Sequence, residues 1–288
     1  MTTSYVRIAT AVPDLVEHAW VVRDQERPRD DVPGAGRVGA GHEVLLPDGR
    51  GLVQLVGPGG APGTRTDVLT GESAADGDGV RGVSTRAVVR HGAAPAARLG
   101  LQLHPLALAR LGVRDLLVDR AAPLDVLFGA GADAVARART QLGTGHDEGA
   151  VRTLVDALAA RAARTADVSP DLGACADALA EVDRVRGLVS AADLARTLEV
   201  TVSDLHRWWV TLVGIPPTSY LAAVRLTGFV REAVGPGPVT AADVVGAVRW
   251  YAAAGYAPRE VERFTGLTPV DLQRLARRTA ALVGLPAA

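Results

Sequence analysis

One helix-sized stretch, TVSDLHRWWVTLVG from Thr201 to Gly214, sets Ser203, His206 and Arg207 within little more than one turn of each other. At 3.6 residues per turn these side chains share one face with Val210. A hydroxyl, an imidazole and a permanent cation can donate and accept hydrogen bonds along a polar surface. That is the chemistry of recognition. Motifs for bond making are missing: no nucleophile elbow, Walker loop or HExxH zinc motif occurs, and no enzyme is expected. The other face carries Leu205, Trp208, Trp209 and Leu212, the spacing of a buried stripe. Aromatic residues make up only 4% of the chain, so two adjacent tryptophans mark where this helix is anchored.

The elements around it are short and capped. Ser190, with Asp193 three residues on, starts one helix whose inner face is Leu194, Ala195 and Leu198. LEV breaks it. Thr201, with Asp204 three residues on, starts the next. Two short helices, a three-residue turn and an exposed polar face describe a helix-turn-helix, whose second helix would enter a DNA major groove N-terminal end first. Any α-helical domain, however, also contains helix pairs joined by short turns, and periodicity alone leaves that reading open.

The rest of the chain bounds this reading. Its 288 residues are 48% hydrophobic, enough for a full core, and carry a formal net charge of −1. All 31 basic residues are arginine, a bias expected of a GC-rich genome. Cys175 is the single cysteine, which excludes a disulfide framework and predicts an inert thiol on an apolar helix face. MTTSYVRIATAVPD lacks the basic and apolar regions of a signal peptide, and no apolar run reaches membrane-spanning length. A soluble cytoplasmic protein is the expectation.

The fold class expected is α+β. Up to residue 105, Gly and Pro punctuate short apolar runs: EVLLP, GLVQLVG, TDVLTG and TRAVVRHG. These predict an antiparallel β domain with a turn at Pro47–Arg50. Helices follow from Leu106, the first through LALARLGVRDLLVDR with Gly112 as breaker, then ADAVARARTQL and EGAVRTLVDALAARAART. Ser169 as N-cap and Pro170 at the first helical position mark a boundary. The units are therefore 1–105 (β-rich), 106–169 (helical segment and linker) and 170–288 (helix-turn-helix domain). From Asp171 onward 12 arginines balance 12 carboxylates, little surplus for holding phosphates.

VSAADLARTLEVTVSDLHRWWVTLVGIPPTSYLAAVRL resembles the first helix-turn-helix of AraC-family transcriptional regulators, and REVERFTGLTPVDLQRL resembles that family's closing block. RLGLQLHPLALARLGVRDLLVDRAAPLDVLFG is similar to a segment of sensor domains often fused to such regulators. The resemblance implies a β-rich sensor domain, a bacterial, dimeric, duplex-DNA-binding regulator and a small-molecule effector in the N-terminal domain, with no cofactor. Its base-reading positions fall on Val202, Ser203, His206 and Arg207, with Arg225 and Arg231 helping to hold the DNA backbone. Arg207 can take guanine O6 and N7 together. The effector pocket is expected to be strand-lined and mostly apolar.

Departures from the family are specific. Glu199 stands where a turn glycine is usual, at about 1 kcal/mol if its backbone is left-handed. Val210 and Thr211 replace basic residues. In the second motif Ala252, Ala253, Ala254 and Gly255 replace polar readers and Pro258 falls inside the helix. A break at Gly255–Pro258 follows, with one helix running from Thr240 to about Ala254 and another starting at Pro258. A rival parse takes PREVERFTGLTPVDLQRLARR as the second pair, exposing Gln273, Arg274, Arg277 and Arg278. A second function class stays open: a relative that no longer reads DNA and serves as an interaction or oligomerisation module. A cupin-type metal enzyme starting at GHE (Gly41–Glu43) is disfavoured for want of further ligands at fitting spacing.

Overall fold

The computed structural model describes residues 2–25, 42–59, 63–91, 97–129, 133–165, 169–235 and 237–286. The Gly- and Pro-rich run 26–41, which includes Gly41 of GHE, and 60–62 of VGPGGAPG lie outside them. The fold is α+β, with antiparallel strands in the N-terminal part and helices in the C-terminal part. The strands are β1 (Thr2–Ala9), β2 (Val16–Gln25), β3 (Val44–Leu45), β4 (Gly51–Val56), β5 (Gly63–Asp67), β6 (Ser73–Asp76), β7 (Gly79–Arg81), β8 (Val88–His91), β9 (Ala97–Leu103) and β10 (Ala121–Ala122). Two sheets result, one ordered β1-β2-β9-β4-β7-β10 and the other β3-β8-β5-β6. Pro47–Arg50 turns the chain from the second sheet to the first, with Gly49 at φ 72° and the Asp48 carboxylate accepting the Arg50 N–H at 2.9 Å.

Short helices α1 (Ala107–Arg110) and α2 (Asp125–Phe128) lead to α3 (Asp133–Gly143) and α4 (Asp147–Arg164). The larger sheet is covered by α3 and α4: Val53, Leu55, Leu99 and Leu101 join Leu142, Leu154 and Leu158 in one core. Gln54 and Arg98, on the strands of that sheet, instead belong to a buried polar network with Arg90 of β8, Asp76 of β6 and Glu43. Burial pushes the Asp76 carboxyl up, but Arg90 and Arg81 outweigh it and hold it below its ordinary value. Gly100 is required by packing, because a Cβ there would lie 2.2 Å from the Trp20 ring.

The C-terminal helices are α5 (Leu172–Arg184), α6 (Ala191–Thr197), α7 (Val202–Trp208), α8 (Pro217–Val234), α9 (Ala241–Ala253), α10 (Pro258–Thr265) and α11 (Pro269–Leu282). They do not stand apart from the sheets. Val44, Leu46 and Val89 share a core with Val239, Val244, Val248 and Leu272. Backbone bonds cross there as well, Val44 N–H to Val239 O at 2.7 Å and Ala241 N–H to His42 O at 2.9 Å.

Several expectations are corrected. In TDVLTG the strand ends at Asp67, and Val68–Thr70 is a turn because the Asp67 carboxylate accepts the N–H groups of Leu69 and Thr70 at 2.7 and 2.9 Å. In LALARLGVRDLLVDR the helix ends at Arg110, ahead of the expected breaker Gly112 at φ 69°, but VRDLLVDR after it is not helical. Beyond it Leu117 and Asp119 have φ of 53°, and β10 adds a short strand after residue 105. Ser169 and Pro170 precede the helix instead of capping it: the helix starts at Leu172, whose N–H meets the Ser169 carbonyl at 3.0 Å.

Candidate nucleic-acid interface

The α6–α7 unit is fixed locally by its caps. The Ser190 hydroxyl accepts the Asp193 N–H at 3.1 Å and donates to the Asp193 carboxylate at 2.6 Å. Thr201 does the same with Asp204, at 3.0 and 2.6 Å. These bonds satisfy helix N-terminal donors that would otherwise point at water. Between the helices Glu199 holds φ 55°, the left-handed geometry that glycine adopts without strain.

After Trp208 the α-helix loosens into a π-helical turn, Trp209–Val213, closed by a Gly214 N–H to Trp209 O bond of 2.8 Å. Leu205, Trp208, Trp209, Leu212 and Val213 are all buried, packed with Leu194, Ala195, Leu179 and Val182. Both tryptophans are therefore anchors. Trp208, which the α-helical spacing leaves nearer the rim of the stripe, is only 6% exposed.

The other face is open. Val202, Ser203, His206, Arg207 and Val210 are exposed, Val202 by 52% and Val210 by 44%. The Arg207 guanidinium lies 3.1 Å from Asp204 and 3.6 Å from Asp171. Arg225 is directed inward: its Nε donates to Gly187 O at 2.7 Å, tying α8 to the segment before α6, and burial lowers its pKa. Arg231 donates to the Gly237 carbonyl and lines a cavity at the far end of α8. The four α7 positions thus share one surface, while Arg225 and Arg231 face other parts of the fold.

The second pair is broken where Gly255 and Pro258 predict it. Thr240 and Asp243 form a reciprocal capping box at the start of α9. The helix ends at Ala253, Gly255 has φ 71°, and α10 begins at Pro258. The α10–α11 pair repeats the local design of α6–α7. Gly266 closes α10 in left-handed geometry and Thr268 caps α11 with Asp271. Arg274 then reaches back to Asp271 at 2.8 Å, as Arg207 does to Asp204. Gln273, Arg274, Arg277 and Arg278 are exposed. Sequence reasoning did not mark the aromatic surface beside this pair. Trp250 is 64% exposed, and Tyr256 stacks on Tyr251 with centroids 4.6 Å apart.

The cavity is the second feature of this half. It encloses about 630 Å³ between the strands and α8. The strand-lined pocket expected within the N-terminal unit is corrected in its walls, to which Val224, Thr227 and Arg231 of α8 and Asp183 of α5 also contribute. Its surface is more apolar than polar, as expected, and arginines predominate among its charged groups. Arg50 joins the two sides, within 2.6 Å of Asp183 and 3.0 Å of Glu17, and its Nη1 donates to the Tyr220 hydroxyl at 3.0 Å.

No family model matches the chain, and no curated protein matches it. Among solved structures, ToxT from Vibrio cholerae O395 is 10% identical, covers 95% of this chain and 97% of its own, and superposes with a TM-score of 0.38. A second structure of ToxT from Vibrio cholerae is 8% identical, with 96% and 94% covered and a TM-score of 0.35. Among the described residues no helix is long and apolar enough to cross a membrane.

Proposed function

We propose that this chain is a DNA-binding transcriptional regulator of the AraC type, not an enzyme, that reads duplex DNA through α7. The observation that carries the proposal is the division of one helix. Trp208 and Trp209 hold it from behind, and Ser203, His206 and Arg207 are exposed on its outer face. A reader must be rigid on one side and polar on the other. The resemblance of both C-terminal blocks to AraC-family sequences points the same way. In this reading Val202, Ser203, His206 and Arg207 meet base edges. Arg207 exchanges its carboxylate neighbours for guanine O6 and N7. A cytoplasmic bacterial homodimer supplies two readers, since a single short helix on a domain of balanced charge gains little from phosphates alone. A small-molecule effector occupies the cavity beside α8.

Selection of bound duplexes from a random library by the full chain, at low and at physiological salt, tests this. Enrichment of one half-site motif is the expected result. Recovery of no motif and no duplex even at low salt overturns it. A second reading then takes its place, an interaction module; the exposed Val202, Val210 and Trp250 favour that alternative.

A further inference from the structure

We infer that the cavity between the strands and α8 binds a small multivalent oxyanion, a polycarboxylate or a phosphate ester. The inference rests on the effector part of the reading above and not on DNA recognition by α7.

Charge is the first argument. Eight arginines and five carboxylates line the cavity, so its walls are cationic although the whole chain is near neutral. Most of those arginines already have partners. Arg50 is held by Glu17 and Asp183, and Arg81 by the buried Asp76. Three do not: the guanidinium groups of Arg7, Arg65 and Arg186 make no ion pair or hydrogen bond among the described residues, yet all three line this one space. They come from β1, β5 and the turn after α5. Guanidinium forks match carboxylate and phosphate oxygens two at a time, so three from different sides suit an anion with more than one charged group.

Backbone strain is the second argument. Four described residues other than glycine have positive φ, and two of them, Asp119 and Arg186, line the cavity. Left-handed backbone at a bulky residue is costly and tends to persist where it aims a side chain. The third argument is an unmet polar atom. His18 lines the same space, and its Nδ1 is shielded without a hydrogen-bond partner among the described residues. Burial, reinforced by Arg7 and Arg50, lowers its pKa to about 4, so a neutral ring is available to donate or accept. Burial likewise lowers the pKa of Arg65, with Asp76 opposing, as for a cation whose surroundings undersupply negative charge. A volume of about 630 Å³ suits a metabolite-sized ligand.

Calorimetric titration of the full chain with citrate, inorganic pyrophosphate and benzoate, at neutral pH and constant ionic strength, tests the inference. Stoichiometric binding of citrate or pyrophosphate is expected, with benzoate, a monoanion, weaker by about tenfold or more. Preference for citrate identifies a polycarboxylate site, and preference for pyrophosphate a phosphate site. Arg65→Gln and Arg186→Gln should each weaken binding by about tenfold, Arg186→Lys should restore part of it, and Arg274→Gln on α11 should change nothing. Failure of both multivalent anions at millimolar concentration overturns the inference. So does benzoate binding as tightly, or binding that survives the Arg65→Gln, Arg186→Gln double substitution. None of these readouts contains DNA, so an empty cavity and a silent α7 give different results.

Discussion

Trp209 meets Tyr220 edge to face, with ring centroids 5.9 Å apart and planes inclined at 70°. The contact fastens the end of α7 to the start of α8, and both rings are fully buried. Tyr220 in turn accepts a hydrogen bond from Arg50 on the cavity wall. Helix α7 and the cavity therefore share a packed neighbour.

Removing that anchor should loosen the whole unit. Trp209→Ala is expected to cost about 3–5 kcal/mol of stability, the range for a large aromatic deleted from a core. Urea denaturation of the purified variant measures it, and a loss under about 1 kcal/mol would contradict the packing described.

Arg207 carries the sharpest functional expectation. On the selected site, Arg207→Ala should cost about 1–3 kcal/mol and relax preference at one base pair. Asp171→Asn should act in the opposite direction, by about 0.2–1 kcal/mol, because it removes a carboxylate that competes for the same guanidinium. Fluorescence anisotropy across a salt series separates the two roles. Loss of a base contact leaves the salt slope nearly unchanged, whereas loss of a phosphate contact flattens it.

Acid should destabilise the fold through its histidines. Burial first, then Arg7, Arg50 and Arg231, lowers the His18 pKa to about 4; burial and Arg110 do the same for His104. Unfolded histidine titrates near 6.5, so between about pH 6.5 and 4 the unfolded chain binds more protons. Stability is then complete above that window and falls as the pH drops through it. His18→Gln should reduce the difference in Tm between pH 7 and pH 5. An unchanged difference would mean that the ring is protonated in the folded protein.

Cys175 should be silent. It is fully buried on α5, and burial, with Asp171, raises its thiol pKa to about 12. A disulfide reagent should label it in denaturant and leave it untouched in buffer.

Local chemistry made much of the helical part readable. Ser190, Thr201 and Thr240 each precede an acid by three residues, and all three cap helices. Pro258 and Gly266 punctuate the chain where their backbone limits require. Competition between local and longer-range effects hid other features. Val68 favours a strand, but the Asp67 carboxylate captures the next N–H groups and turns the chain. Trp208, the first of the pair, stands nearer the rim under a 3.6-residue period, and the π-turn that follows it is not legible from that period. The cavity was illegible for another reason. Arg7, Arg65 and Arg186 are widely separated along the chain, and where every basic residue is arginine, residue type gives no hint of which ones converge.

The core shared by Val44, Leu46 and Val89 with Val239, Val244 and Val248 has a consequence for engineering. Regulators with a tethered sensor can often be recombined as cassettes, one input grafted onto another output. Here a graft junction near residue 169 would strip an apolar seam and orphan the backbone bonds from Val44 to Val239 and from Ala241 to His42. Any chimera has to carry strand β3 with the helices it serves, so inheritance of the two halves is joint.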